Sequence, residues 1–293
     1  MTPPPDFVPD RARLLRDVQR MAVPRHPSNA MEALRAVEDF VALELSAAGL
    51  RVERQLFSWD RREFHNVLGT KDGDDPARPW VVVGAHFDST PHTPGADDNA
   101  SGVAAMLEVA RLLRGRRLAA TVEFVGFNLE EVYRLWPPVY RIGSRAYVRW
   151  LKAQSRKLEG ALVLEMVGYT SATQRAPAAV RLVRKIPEVG HFLAAVGDAT
   201  SRRLLAVMER AAASLVPLET LAVPLRGWLV PDVRRSDNAR FWDAGWPALM
   251  ITDTADLRNP HYHRASDTPE TLDYDFLGRV VTTVARAVVE LAS

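Results

Sequence analysis

The sequence predicts an α/β fold, a mostly parallel sheet with helices on both faces. Two patterns carry that expectation. Short, near-continuous apolar runs such as WVVVGA (Trp80–Ala85) lack the alternation of half-exposed strands, as strands buried on both faces do. Between them lie longer stretches with helical periodicity, the βαβα alternation of a doubly covered sheet. The chain of 293 residues, 47% hydrophobic, can bury one large core or two small ones. With no internal repeat and no low-complexity linker, one domain over residues 1–293 is expected. The Pro- and Arg-rich stretch 174–190 is a possible insertion in it.

Asp10–Met21 and Ala30–Ala48 carry apolar residues at helical spacing, the second after Pro27-Ser28-Asn29, a start signal. Strand-like runs follow at Arg51–Ser58, Glu63–Leu68 and Trp80–Ala85. Ser101–Leu113 reads as a helix, Thr121–Phe127 as a strand, Ser144–Ala153 as a helix and Leu162–Val167 as a strand. A helix around Ser201–Ala213, a strand at Ala248–Thr252 and a closing helix at Tyr274–Ala292 complete the series.

Composition removes several function classes. The formal charge of +2 is nearly balanced, and no Lys/Arg block is interleaved with aromatics, which argues against a nucleic-acid surface. With no cysteine, disulfides, thiolate ligands and a Cys nucleophile are excluded. A metal must then be held by His and carboxylates, which suits an open catalytic zinc site. No stretch resembles a membrane span and no leader is visible, so the expected location is cytoplasmic, with a secreted form that has lost its leader as the alternative.

The chemistry-bearing residues fall where strands are expected to end, the place where ligands bind in open α/β sheets. His86 and Asp88 follow the Trp80–Ala85 run; His86 can offer a ring nitrogen to a metal while Asp88 fixes its tautomer. PGADDNASG opens a helix with Asp97, Asp98, Asn99 and Ser101, more acceptors than the single one that an N-cap needs. Glu130 and Glu131 sit side by side after an apolar strand and repel unless a cation or a proton separates them. One can bind metal while the other takes a proton from water; a solvated acidic pair is the plainer alternative. Glu165 lies inside the apolar run ALVLEMVG, where a carboxylate is costly unless it is paired, hydrogen-bonded or metal-bound. His261 and His263 share a polar loop with Asp267 and Thr268. Each signal has an ordinary explanation; together they place carboxylates and imidazoles at the ends of successive strands.

The order HFD, PGADDNASG, FNLEE, LEMVGY and NPHYHRASDT resembles the co-catalytic dizinc aminopeptidase family, from about Ser28 to the C-terminal helix. That broad family includes glutaminyl cyclases, glutamate carboxypeptidases and transferrin-receptor ectodomains. The resemblance implies a three-layer α/β/α sandwich with a mixed sheet and two zinc ions (Zn2+). One would be held by His86, Asp98 and Glu165, the other by Asp98, Glu131 and His263, with Asp98 bridging. Glu130 would be the general base, and Tyr262 lies where some relatives place a phenol near the developing oxyanion. His263 rather than His261 would be the ligand, because the family sets its histidine four positions before Asp-Thr. A cis bond after Asp98 is also implied. The expected activity is hydrolysis of peptides or small amides from the N-terminus.

The sequence departs from the family pattern in three places. Glu165 stands where Asp is common, and Asn238 follows Ser-Asp where many relatives carry His. Trp136, soon after the paired glutamates, is similar to glutaminyl cyclases, which make glutaminyl-peptide cyclisation with one zinc the alternative activity. Against that, Tyr262 precedes the metal histidine where those cyclases carry Trp. An inactive scaffold of the transferrin-receptor kind has no physical reason to keep Glu130.

Overall fold

In a computed structural model that describes residues 7–133, 140–177, 180–181 and 185–293, one eight-stranded sheet runs through the molecule. The strands are β1 (Arg51–Trp59), β2 (Arg62–Lys71), β3 (Trp80–His86), β4 (Val122–Phe127), β5 (Leu158–Glu165), β6 (Leu193–Asp198), β7 (Leu218–Val223) and β8 (Ala248–Thr252). Their order is β1-β2-β4-β3-β5-β8-β6-β7. The central four, β4-β3-β5-β8, are parallel, β2 joins them antiparallel on one side, and β6 joins antiparallel on the other. The expected mixed, mostly parallel sheet between helical layers is therefore what forms.

Every residue of β3 and β4 is buried, so the two-residue period survives only as a choice between two cores. Val81, Val83 and Ala85 of β3, with Val122 and Phe124 of β4, face one core. Helices α1 (Arg11–Met21), α2 (Met31–Ala47), α3 (Gly102–Leu112), α5 (Arg202–Ala212) and α7 (Tyr274–Ala292) close it. Val82, Val125, Phe127 and Val163 face the other, closed by α4 (Ile142–Ala153) and α6 (Asn238–Ala244). Each fully buried Val or Leu contributes roughly 1.5–3 kcal/mol relative to exposure, so both faces hold the sheet in place. Among the described residues, no helix is long and apolar enough to cross a membrane.

Helix starts follow local chemistry in part. The Asp10 side chain accepts from Arg13 N at the head of α1, and the Asp273 side chain accepts from Asp275 N and Phe276 N at the head of α7. The expected start signal of α2 acts otherwise: Ala30 is its N-cap without a side-chain bond, and the Ser28 hydroxyl pairs with the His26 ring at 2.7 Å. Three elements escaped the pattern reading. β6 (LAAVGD) is built of small residues, β7 (LETLAV) is a partly exposed edge strand, and α6 has only seven residues. Ser171 and Gly190 exchange backbone hydrogen bonds of 3.1 and 2.8 Å, closing the base of the excursion that holds residues 174–190. Trp136 lies outside the described residues.

The turn after β4 is fixed from two sides. Asn66 Oδ1 accepts from Asn128 N at 3.0 Å, and Asn66 Nδ2 donates to the Gly143 carbonyl at 2.9 Å. Gly143 N in turn donates to the Asn128 carbonyl at 3.0 Å. A Cβ at Gly143 would stand 2.1 Å from that carbonyl oxygen, so no side chain fits without backbone movement. Gly143→Ala is expected to destabilise the protein by about 1–3 kcal/mol, an overpacking cost, measured as a lower urea midpoint at unchanged m-value.

Candidate metal centre

The ends of the four central strands carry the site. His86 is the last residue of β3, Glu165 the last of β5, and Glu130 and Glu131 follow β4 within four residues. Asp98 lies in the irregular turn Ala96–Ser101 before α3, and its bond to Asn99 is cis. His263 comes from the loop between β8 and α7.

These side chains converge. His86 Nε2 stands 3.3 Å from Asp98 Oδ1 and 3.5 Å from Glu165 Oε2. His263 Nε2 stands 3.1 Å from Asp98 Oδ2 and 3.2 Å from Glu131 Oε1. The two oxygens of Asp98 thus face different histidines, and one carboxylate belongs to two donor groups, His86/Asp98/Glu165 and Asp98/Glu131/His263. Glu130 stands beside them, with a carboxylate oxygen within 4.8 Å of donor atoms of His86 and Glu131. His261 does not join: its Nδ1 pairs with the Ser266 hydroxyl at 3.0 Å and its ring meets Tyr169 edge-on.

Whether the cluster suits a cation is tested by its unsatisfied atoms. Both ring nitrogens of His86 and Asp98 Oδ1 are buried without a hydrogen-bond partner. Buried polar atoms are rarely left so, and cations are what imidazole nitrogen and carboxylate oxygen donors bind. The crowding shows in a raised proton affinity. Burial and the Asp98 charge push the Glu131 carboxyl up to about 7, and burial with the neighbouring carboxylates pushes Glu130 well above the ordinary range. Against the cost of burial, hydrogen bonds to Asp98 and Glu131 raise the His263 imidazole to about 10.

The loops that bear the donor groups are held by buried side chains, each with its own grip. Asp88 Oδ1 and Oδ2 accept from the amides of Glu130 and Glu131, both at 3.0 Å. The expected bond from Asp88 to His86 is loose, 3.5 Å from Nδ1, so Asp88 mainly orients the paired glutamates. Asp267 treats the next loop likewise, accepting from Asp97 N at 2.9 Å and Asp98 N at 3.1 Å. Asn99 Oδ1 accepts from Met166 N and its Nδ2 donates to the Leu164 carbonyl, joining the Asp98 turn to the strand end that bears Glu165. The Ser236 hydroxyl donates to Glu165 Oε2 at 2.6 Å. Asn238, the departure noted above, donates through Nδ2 to the Val233 carbonyl and so braces the loop that carries Ser236.

Arg25 went unnoticed in the sequence. Fully buried, it donates to the carbonyls of Phe87, Met21, Val23, Pro94 and Gly95, tying both ends of the loop between His86 and Asp98 to α1. Burial lowers its pKa to about 10, which leaves it charged beneath the carboxylates. An arginine between prolines (VPRHP) carries no pattern that announces this; all the hydrogen-bond partners of its guanidinium are backbone oxygens.

Tyr262 stacks on His263 with ring centroids 3.7 Å apart and 22° between planes, and its hydroxyl accepts from Arg235 Nη2 at 2.8 Å. All eight residues picked from the sequence for catalysis or metal therefore lie in one region. A nitrogen- and oxygen-donor cluster of this kind, at the carboxyl ends of parallel strands in an α/β/α sandwich, defines a metallohydrolase. The profile of peptidase family M28 matches residues 66–288, and the chain belongs to that family of zinc-dependent metallopeptidases.

Among its relatives, the uncharacterized protein YfbL of Escherichia coli (strain K12) is 31% identical over 88% of this chain and 81% of its own length. Leucine aminopeptidase 1 of Trichophyton rubrum is 29% identical over 78% of this chain, which spans 58% of that protein. The LapA aminopeptidase of Legionella pneumophila shares the fold, with a TM-score of 0.73 at 18% identity over 97% of this chain and 72% of LapA. The glutaminyl cyclase of Porphyromonas gingivalis shares it equally, with a TM-score of 0.73 at 21% identity over 97% of this chain and 99% of the cyclase.

Replacing Asp88 by Asn sets an amide donor against one of the two backbone N–H groups that it now accepts. Asp88→Asn is expected to fold and to bind zinc about 10- to 100-fold more weakly, measured by competition with a chromogenic chelator.

Proposed function

We propose that the protein is an aminopeptidase that works with two zinc ions. The supporting observation is Asp98, whose two carboxylate oxygens face two separate histidine-containing donor groups. His86, Asp98 and Glu165 would hold one ion, and Asp98, Glu131 and His263 the other. When bound, the ions supply Lewis acidity that polarises the scissile carbonyl and acidifies the attacking water.

The chain's own residues supply the rest. Glu130 belongs to neither proposed ligand set and stands beside both, its amide held by Asp88, which suits a group that takes the proton from water and delivers it to the leaving amine. Asp88 holds Glu130 and Glu131 at fixed separation through their amides, so one acts on the proton while its neighbour acts as ligand. The Tyr262 hydroxyl donates a hydrogen bond to the carbonyl oxygen as negative charge develops there.

An apolar cavity of about 160 Å³ opens beside Glu165 and Tyr262. Its floor is a registered row across the sheet: Glu165 of β5 opposite Thr252 of β8, Thr252 opposite Ala194 of β6, and Ala194 opposite Glu219 of β7. Val196, Met250 and Phe192 add apolar surface, and Pro177 and Val180 of the 171–190 excursion form a wall. A cavity of this size takes about a phenyl ring, so the substrate's N-terminal side chain is apolar and of leucine or phenylalanine size. The name of the Trichophyton rubrum relative, leucine aminopeptidase 1, supports the same assignment.

The dialysed protein is expected to carry two zinc ions per chain and to release leucine from its amide in a chelator-sensitive reaction. Glu130→Ala is expected to lower kcat by about 10²- to 10⁴-fold while zinc content stays unchanged. One zinc per chain with cyclisation of a glutaminyl peptide and no leucine release would instead establish the cyclase reading. Ala194→Met, which fills the cavity floor, is expected to raise KM for leucyl and phenylalanyl amides and to leave alanyl amide nearly unaffected, measured as a ratio of kcat/KM values.

A further inference from the structure

Arg235 stands beside the donor groups without belonging to them. It lies in the turn before α6, next to Ser236, and lines the cavity. Its guanidinium reaches two partners at once: Nη1 donates to Asp256 Oδ1 at 2.9 Å, and Nη2 donates to the Tyr262 hydroxyl at 2.8 Å. Asp232 adds a second carboxylate at 3.8 Å. The same guanidinium lies 5.3 Å from the centre of the Tyr262 ring, whose other contact is the stack on His263.

The direction of the hydrogen bond between Arg235 and Tyr262 is fixed by chemistry. A guanidinium has donors and no acceptor, so the phenol oxygen must accept. The phenol's single proton is therefore turned away from Arg235, and no acceptor among the described residues takes it. A positive charge on the oxygen's lone pair also makes the O–H a stronger donor. Lysine could not reproduce this, because the planar fork of arginine serves the carboxylate and the phenol together.

We infer that Arg235, anchored by Asp256, is a positioning residue that keeps Tyr262 a hydrogen-bond donor toward the substrate's carbonyl oxygen. The inference rests on the peptidase function proposed above, in which that oxygen gains charge during the reaction.

The test is a double-mutant cycle on the zinc-loaded enzyme with leucyl p-nitroanilide, using Arg235→Ala, Tyr262→Phe and the pair, with kcat and KM determined separately. Removing an oxyanion donor costs about 10²- to 10³-fold in rate, and misdirecting one that remains costs less. Arg235→Ala is expected to lower kcat about tenfold or more, with KM and zinc content little changed, and to have no further effect once Tyr262 is Phe. Guanidinium ion added at millimolar concentration should restore part of kcat to Arg235→Ala and none to the pair. Losses that multiply in the pair, or a loss confined to KM, would overturn the inference and leave the peptidase function standing. A wild-type enzyme that releases no p-nitroaniline would instead overturn the function itself, before any variant is compared.

Discussion

Asp98 must lie between two imidazoles while Asp88, Glu130, Glu131 and Glu165 crowd around it, and this concentration of like charge governs the rest of the molecule. Left to themselves these carboxylates would separate or take up protons, as the raised values of Glu130 and Glu131 express. Cations relieve the repulsion only if the donors are already within reach, so the fold has to supply convergence that the charges oppose.

It does so with backbone amides. Asp88 and Asp267 each take two consecutive N–H groups, one pair in the Glu130-Glu131 turn and the other in the Asp97-Asp98 turn. The two loops that bring the most charge are thus oriented by two further carboxylates that touch peptide groups. Asn99 and Ser101 tie the Asp98 turn to the end of β5, and Arg25 gathers five carbonyls under the loop that follows β3. The parallel centre of the sheet makes this economical. Strands of one direction end side by side, so His86, Glu165 and the paired glutamates emerge as neighbours although far apart in sequence.

Much of this was legible in the residues. Fully apolar strands such as Trp80–Ala85 can only be sheet interior, and polar groups that interrupt or end them had to be satisfied by something. Glu165 was legible because a carboxylate in ALVLEMVG has no bland partner in its own strand. The elements that escaped are those whose identity is decided by neighbours: β6, made of small residues, becomes a strand by pairing with β8 and β7, and α6 is too short to show a period. Arg25 and Ser236 escaped for a related reason, since the bonds that tie them to the site reach 62 positions to Phe87 and 71 to Glu165. The cavity was invisible too, because its floor is a cross-strand row with one residue from each of four strands.

The excursion between Ser171 and Gly190 meets the sheet layer through a closed pair of backbone hydrogen bonds, and its described residues wall the cavity without supplying any group of the metal centre. One wall of the cavity and the donor-bearing loops are in this way separate stretches of chain, although Glu165 belongs to both the cavity floor and a donor group. The donor-bearing loops are locked to one another through Asp88, Asp267 and Asn99, so a change in one disturbs the others. The wall hangs from its own base, and a lineage can lengthen, shorten or exchange it while the hydrolytic machinery stays intact. A descendant with a new diet of peptides can therefore arise by editing one loop.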